Sequence, residues 1–330
     1  MHPRSTSLLD PDVQGRRPST RLGLSRVGVT GVEKVISIRS AGTEQLFYAE
    51  LECFVDLAAD RKGAHMSRFE EVVNEAIDEV VLGESLKAEE LAAHIAERVR
   101  DRQGGVRSEV TIAARYPENK PAPVSGILTQ EIYTLFGAAV AFEKGTRRLV
   151  GVQAQGMTAC PCAQEMVSAG AREALGEDGF GEEEIERILE RVPVATHSQR
   201  GIGTLHVGCP TDCAATIEAA DLLAIVEESM SSEVYELMKR PDEQEVVEKA
   251  HRRPRFVEDC VREMLRMGVE RFGHLGEDAF LSARQENLET IHRHNVVAER
   301  HGLMSELTQE IEDGEPAARQ TSIRAWLEAE

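Results

Sequence analysis

Residues 46–82 read LFYAELECFVDLAADRKGAHMSRFEEVVNEAIDEVVL. The opening of this stretch is rich in β-formers (Phe47-Tyr48, Cys53-Phe54-Val55) and predicts a strand over Leu46–Leu57. From Arg68 to Leu82 the apolar residues Phe69, Val72, Val73, Ala76, Ile77, Val80 and Val81 fall at helical spacing. Working outward, Val32–Arg39 reads as a preceding strand, with Ala41-Gly42-Thr43 as the turn and Met1–Gly31 as a loose arm. A second helix follows over Lys87–Arg102, with Leu91, Ile95 and Val99 on one stripe and Gly104-Gly105 ending it. Val106–Tyr116 and Glu131–Phe142 read as strands flanking a Pro117–Pro123 loop. The order is ββααββ.

The same order fits the second half. Arg148–Thr158 and Gly201–Val207 read as strands, and Asp221–Leu237 and Glu243–Phe272 as helices, the latter interrupted at Pro254. Phe280–Gln285 and Leu288–Val297 would be the closing strands. An insertion over 163–194 carries two short helices split by Gly176–Gly181. The expected division is therefore residues 1–145 and 146–330, joined by a Glu143–Thr146 turn, with 303–330 a peripheral acidic tail. Two ββααββ copies imply an α+β fold, each half an antiparallel sheet with helices on one face.

Composition limits the possible functions. The 330 residues are 41% hydrophobic, enough to bury a core, and no run of 18 apolar residues exists to cross a membrane. Net charge is −20, from 58 acidic and 38 basic residues, of which only seven are lysine. Such an acidic, lysine-poor surface suits high internal salt, where screening over about 3–10 Å weakens self-repulsion. The same field argues against a nucleic-acid partner. The N-terminus has no apolar stretch of a signal peptide, so a cytoplasmic location is expected. There a disulfide scaffold built from the six cysteines is not expected.

Four segments far apart in the chain carry thiols, imidazoles and carboxylates: Cys160-Pro161-Cys162, His197-Ser198-Gln199-Arg200, Lys239-Arg240-Pro241-Asp242-Glu243 and Glu289-Thr290-Ile291-His292-Arg293-His294. That is the ligand set of a borderline divalent metal, and its mixture suggests a catalytic site over a closed structural one. Each segment also has a plainer reading. The two cysteines could be small buried residues at a strand end, or could form a zinc site with Cys209 and Cys213. Asp242 or Glu243 could complement a helix dipole. Phe256-Val257-Glu258-Asp259 is either a solvated acidic face or a carboxylate placed to accept two parallel N–H bonds. Read as a strand, Glu289 and His292 would face opposite sides while His292 and His294 share a face, and the spacing does not choose the ligand.

Lys62, His65, Ser67 and Arg68 precede or open the first helix and form a ready anion site. A chain of this charge must concentrate positive charge locally to hold a triphosphate. Further candidates are Arg200, Lys239, Arg240 and the run His251-Arg252-Arg253-Pro254-Arg255.

Taken together, KGAHMSRF (62–69), GMTACPCAQ (156–164), ATHSQRG (195–201), KRPDEQEVVEKA (239–250), RPRFVED (253–259) and ENLETIHRHN (286–295) resemble the type IB GTP cyclohydrolases and their archaeal relatives of the methanopterin pathway. These stretches span most of the chain in the family's order. The resemblance implies the tunnelling fold, two ββααββ halves assembling into a closed barrel-like oligomer, a homodimer or homotetramer. It implies GTP as substrate, with metal-dependent opening of the guanine imidazole ring and loss of formate. Carried over by position, the metal ligands look like Cys160, His197, Glu243 and His292, and the guanine anchor looks like Glu258. Glu289 matches another active-site position and Cys162 the second cysteine of the Cys-Pro-Cys motif, while His65 is a candidate proton donor. The insertion after Cys162 resembles the archaeal branch, which implies Fe(II), with Mn(II) or Zn(II) compatible, and a dihydroneopterin 2',3'-cyclic phosphate in place of the triphosphate. Two other readings stand beside this one: a nitrile reductase of the same fold with a cysteine nucleophile and a nicotinamide cofactor, and a non-catalytic zinc-stabilised binding protein.

Overall fold

The computed structural model describes residues 13–40, 43–79, 87–211, 217–317 and 319–329. They divide into two compact units, one holding residues up to Ile112 plus Ala138–Thr146, the other Ala113–Gly137 plus Arg147–Ala329.

In the first unit, β1 (Leu24–Ser40) pairs antiparallel with β2 (Thr43–Leu57), from Leu24 opposite Leu57 to Ser40 opposite Thr43. The arm expected up to Gly31 is therefore partly strand, because Leu24 and Val27–Val29 find partners on β2. The Ala41-Gly42 part of the expected turn lies outside the described residues. On β2 the odd-numbered residues Phe47 to Leu57 are buried and their neighbours are not, the period of a half-covered strand. α1 (Met66–Glu79) packs on β1 and α2 (Ala88–Gln103) on β2. They bury Phe69, Val72, Val73 and Ala76, and Leu91, Ile95 and Val99, the stripes the spacing predicts. Val80 and Val81 lie outside the described residues. Gly104 closes α2 in the left-handed region (φ 64°), a conformation that favours glycine.

β3 (Ser108–Pro121) and β4 (Leu128–Phe142) contribute a part to each unit. In the second unit, β5 (Gly145–Ala159) pairs with β6 (Ser198–Cys209), which pairs with β8 (Phe280–Leu288), which pairs with β9 (Val296–Leu303), all antiparallel. Between β5 and β6 the insertion forms α3 (Pro161–Glu177) and α4 (Glu182–Arg191). Between β6 and β8 come α5 (Ala219–Ser229), the short β7 (Ser232–Glu233) on β5, α6 (Arg240–Arg252) and α7 (Val257–Phe272). The break expected at Pro254 separates α6 from α7. The helix expected to reach Leu237 stops at Ser229, where serines compete for backbone hydrogen bonds and buried Ser231 accepts from Ala159 N–H.

Two further expectations are corrected. Residues 289–295 are a loop, and the closing strand begins only at Val296, opposite Asn287. This polar segment offers no alternating apolar face to hold a strand. The C-terminal stretch is packed, not peripheral. α8 (Met304–Asp313) buries Met304 and Leu307, and α9 (Ile323–Glu328) buries Trp326 against the Phe280 ring.

Candidate active site

The ladder between β5 and β6 continues one step past the strand ends. Ala159 pairs with Ser198, and the Cys160 N–H then donates to the His197 carbonyl at 3.1 Å. Thr196 Oγ1 donates to the Cys160 carbonyl at 2.8 Å. Pro161, which has no N–H to lose, takes the first position of α3 and Cys160 becomes its N-cap. Local pairing and a proline start therefore place a free thiol beside an imidazole.

Two more segments close on this corner. The Arg255 N–H donates to the Ala159 carbonyl at 3.0 Å, which brings the start of α7 to the end of β5. Asp259 accepts from Phe256 N–H and caps α7, leaving Glu258 to line the cavity. Leu288, opposite Arg200, ends β8, so Glu289 emerges beside the start of β6, where Thr290 Oγ1 donates to the Ser198 carbonyl. The His292 and His294 rings stack with centroids 5.2 Å apart.

The result is a cavity of about 260 Å³ lined by Cys160, His197, Gln199, Arg255, Glu258, Asn287, Glu289, His292 and His294, among others. Gln199 Oε1 accepts from His197 Nδ1 at 3.0 Å, which leaves Nε2 with its lone pair. Glu289 Oε2 lies 4.0 Å from the same Nδ1 and its side chain is only 6% exposed. A thiol, three imidazoles and two carboxylates line this cavity, a donor set that fits a borderline divalent ion by its chemistry. Among the described residues no three such side chains are already gathered around one point.

The remaining candidates are not among the residues that line this cavity. Cys162 is exposed on α3 and Glu243 on the first turn of α6, and neither lines the cavity. Asp242 is buried and structural, accepting from Val124 N, Ser125 N, Ser125 Oγ and Lys239 N. Burial opposes its ionisation, but the bonds from Ser125, Lys239 and Val124 outweigh that and hold its carboxyl well below the usual range. Lys239 and Arg240 are exposed at the start of α6. Arg200 lines a separate polar cavity of about 590 Å³, because side chains alternate along β6 and Gln199 points the other way. Lys62, His65, Ser67 and Arg68 belong to the first unit, where Gln103 grips both backbone groups of His65.

The basic run 251–255 holds helix ends together. Arg252 donates to the carbonyls of Glu190 and Arg191 at the end of α4, and Arg253 and Arg255 donate to those of Glu228 and Ser229 at the end of α5. Cys209 is disulfide-bonded, which removes the four-cysteine zinc site. Sequence reasoning passed over Gln199, Asn287 and the Arg255 backbone contact. Gln199 was accessible, since it follows His197 by two residues on a strand.

A family model for type I GTP cyclohydrolase folE2 matches residues 11–298. A GTP cyclohydrolase MptA of Methanococcus vannielii is 39% identical over 309 residues, covering 91% of this chain and 98% of its own length. One from Haloferax volcanii is 39% identical over 304 residues, covering 92% and 98%. Among solved structures, the uricase from Arthrobacter globiformis superposes with a TM-score of 0.50 at 8% identity, covering 85% of this chain and 93% of that one. The uricase likeness speaks to architecture alone, the tunnelling fold. The sequence matches place the chain in the type I GTP cyclohydrolase family, as a member.

Proposed function

We propose that this protein is a metal-dependent GTP cyclohydrolase that uses water to open the guanine imidazole ring, releases C8 as formate and the β- and γ-phosphates as pyrophosphate, and yields 7,8-dihydroneopterin 2',3'-cyclic phosphate for pterin biosynthesis. The observation that carries the reading is the single cavity lined by Cys160, His197, Glu258, Glu289 and His292, five residues from four distant segments. Glu258 accepts the two parallel N–H groups of the guanine edge, which sets C8 toward Cys160 and His197. Cys160, His197 and His292 would hold an Fe(II), Mn(II) or Zn(II) ion, whose Lewis acidity activates water near neutral pH. Glu243 and Cys162, ligand and second thiol by the resemblance, do not line the cavity within this chain.

Glu289, low in exposure and beside His197, is suited to relay a proton as the ring opens. Lys62, Ser67, Arg68, Arg200, Lys239 and Arg240 are the candidates for the triphosphate, and His65 for a proton donor. Within their own unit, Arg200, Lys239 and Arg240 do not line the cavity, which supports a site completed in a homodimer or homotetramer. The two-helix insertion, by its resemblance to the archaeal branch, favours the cyclic product over the triphosphate. The excess of carboxylates supports a salt-rich cytoplasm as the working medium.

Glu258→Gln tests the reading. It removes a charge-assisted pair, so kcat/KM for GTP should fall about 10- to 100-fold with metal content unchanged. Unaltered GTP kinetics would remove Glu258 from this role.

A further inference from the structure

We infer that Arg255 is a positioning residue whose guanidinium, fastened to the end of α5, fixes Glu258 relative to Cys160 and His197. The inference rests on the cyclohydrolase reading of Glu258. Three contacts carry it. Arg255 Nη1 donates to the Ser229 carbonyl at 2.5 Å and to the Glu228 carbonyl at 3.3 Å, the negative end of α5. Arg255 Nη2 lies 3.7 Å from Glu263 Oε2 on α7 itself. Its own N–H donates to Ala159, the residue before Cys160.

The same side chain therefore ties α7 to α5, while its backbone ties α7 to β5. Ala159 is held from its other side too, its N–H donating to Ser231 Oγ at 3.1 Å. Pro254 fixes the backbone between Arg253 and Arg255, and Arg253 makes a parallel bond to Glu228. Glu258 follows Arg255 by three residues in the first turn of α7, so a shift of this anchor moves the backbone that carries its carboxylate. Arg255 lines the cavity, yet its Nη1 is committed to two α5 carbonyls and its Nη2 faces Glu263 at ion-pair distance, which favours orientation as its part. The planar fork serves two carbonyls and a carboxylate together, a geometry that lysine does not reproduce.

The test compares wild type, Arg255→Ala, Arg255→Lys and Glu258→Gln, each metal-loaded, with GTP and with inosine triphosphate. Inosine lacks the exocyclic amine that one Glu258 oxygen would bind. If Arg255 positions Glu258, both Arg255 variants lose the preference for GTP by about tenfold, as Glu258→Gln does. Millimolar guanidinium should restore part of it in Arg255→Ala. A purely structural arginine would lower turnover of both nucleotides in proportion and leave their ratio at the wild-type value, which would overturn the inference. Should Arg255→Ala fail to fold, the ratio in Arg255→Lys decides. Wild type that does not consume GTP would instead defeat the cyclohydrolase reading, a distinct outcome.

Discussion

Gln199 Oε1 accepts a hydrogen bond from His197 Nδ1 at 3.0 Å, Gln199 standing at the start of β6 and His197 just before it. Gln199 is 6% exposed, so its amide has few alternatives, and the bond sets both the tautomer and the ring plane of His197. Gln199→Leu removes the acceptor at similar bulk. Affinity for Fe(II) or Zn(II) should fall about 10- to 100-fold, measured by metal content after dialysis against graded chelator. Gln199→Glu, which keeps an acceptor, should recover most of it. Equal affinity in all three proteins would show that His197 is not a ligand held this way.

Thiol reactivity separates the cysteines. Cys53 and Cys260 are buried, and burial pushes both thiols up to about 12. At pH 8 they stay protonated and shielded, so iodoacetamide should leave them unmodified until the chain unfolds. Cys162 is exposed and Cys160 half-buried, so both should label in the folded protein, Cys162 first. Loading with Zn(II) should protect Cys160 and spare Cys162 little, as read by peptide mass spectrometry. Equal protection of the two would contradict Cys160 as the cavity's thiol ligand.

The C-terminal stretch should matter to stability. Trp326 is 1% exposed, stacks on Phe280 at 5.5 Å and donates from Nε1 to the Asp278 carbonyl at 2.9 Å. Gly208 makes room for it, since a Cβ there would lie 2.5 Å from the indole. Trp326→Ala should cost about 3–5 kcal/mol in urea unfolding. Gly208→Ala should cost about 1–3 kcal/mol through overpacking. An unchanged urea midpoint for both would mean that α9 does not stay docked in solution.

Much of the fold was legible because it rests on local signals. The apolar stripe through Phe69, Val72, Val73 and Ala76 and the left-handed Gly104 each announce an element from a few residues. What was missed depends on partners far away in the chain. The strand from Leu24 exists because β2 runs long enough to pair with it. The polar 289–295 segment reads as strand only by proximity to β8, and the indole of Trp326 finds Phe280 across 46 residues of sequence. The site shows the same division. Cys160, His197, Glu258, Glu289 and His292 carry recognisable chemistry and meet in one cavity. Gln199 and Arg255 act through hydrogen bonds to other residues; spacing from His197 hints at the first, and nothing local spells out the second. The basic run at 251–255 looked like phosphate chemistry, but its donors cap helices.

The most direct measurement is anaerobic incubation of the Fe(II)-loaded protein with GTP, products read by mass spectrometry. The account predicts formate in step with a dihydroneopterin 2',3'-cyclic phosphate, and none of either from Cys160→Ala. Dihydroneopterin triphosphate would keep the ring opening and reassign the product. No loss of GTP with iron, manganese or zinc would contradict the cyclohydrolase reading itself.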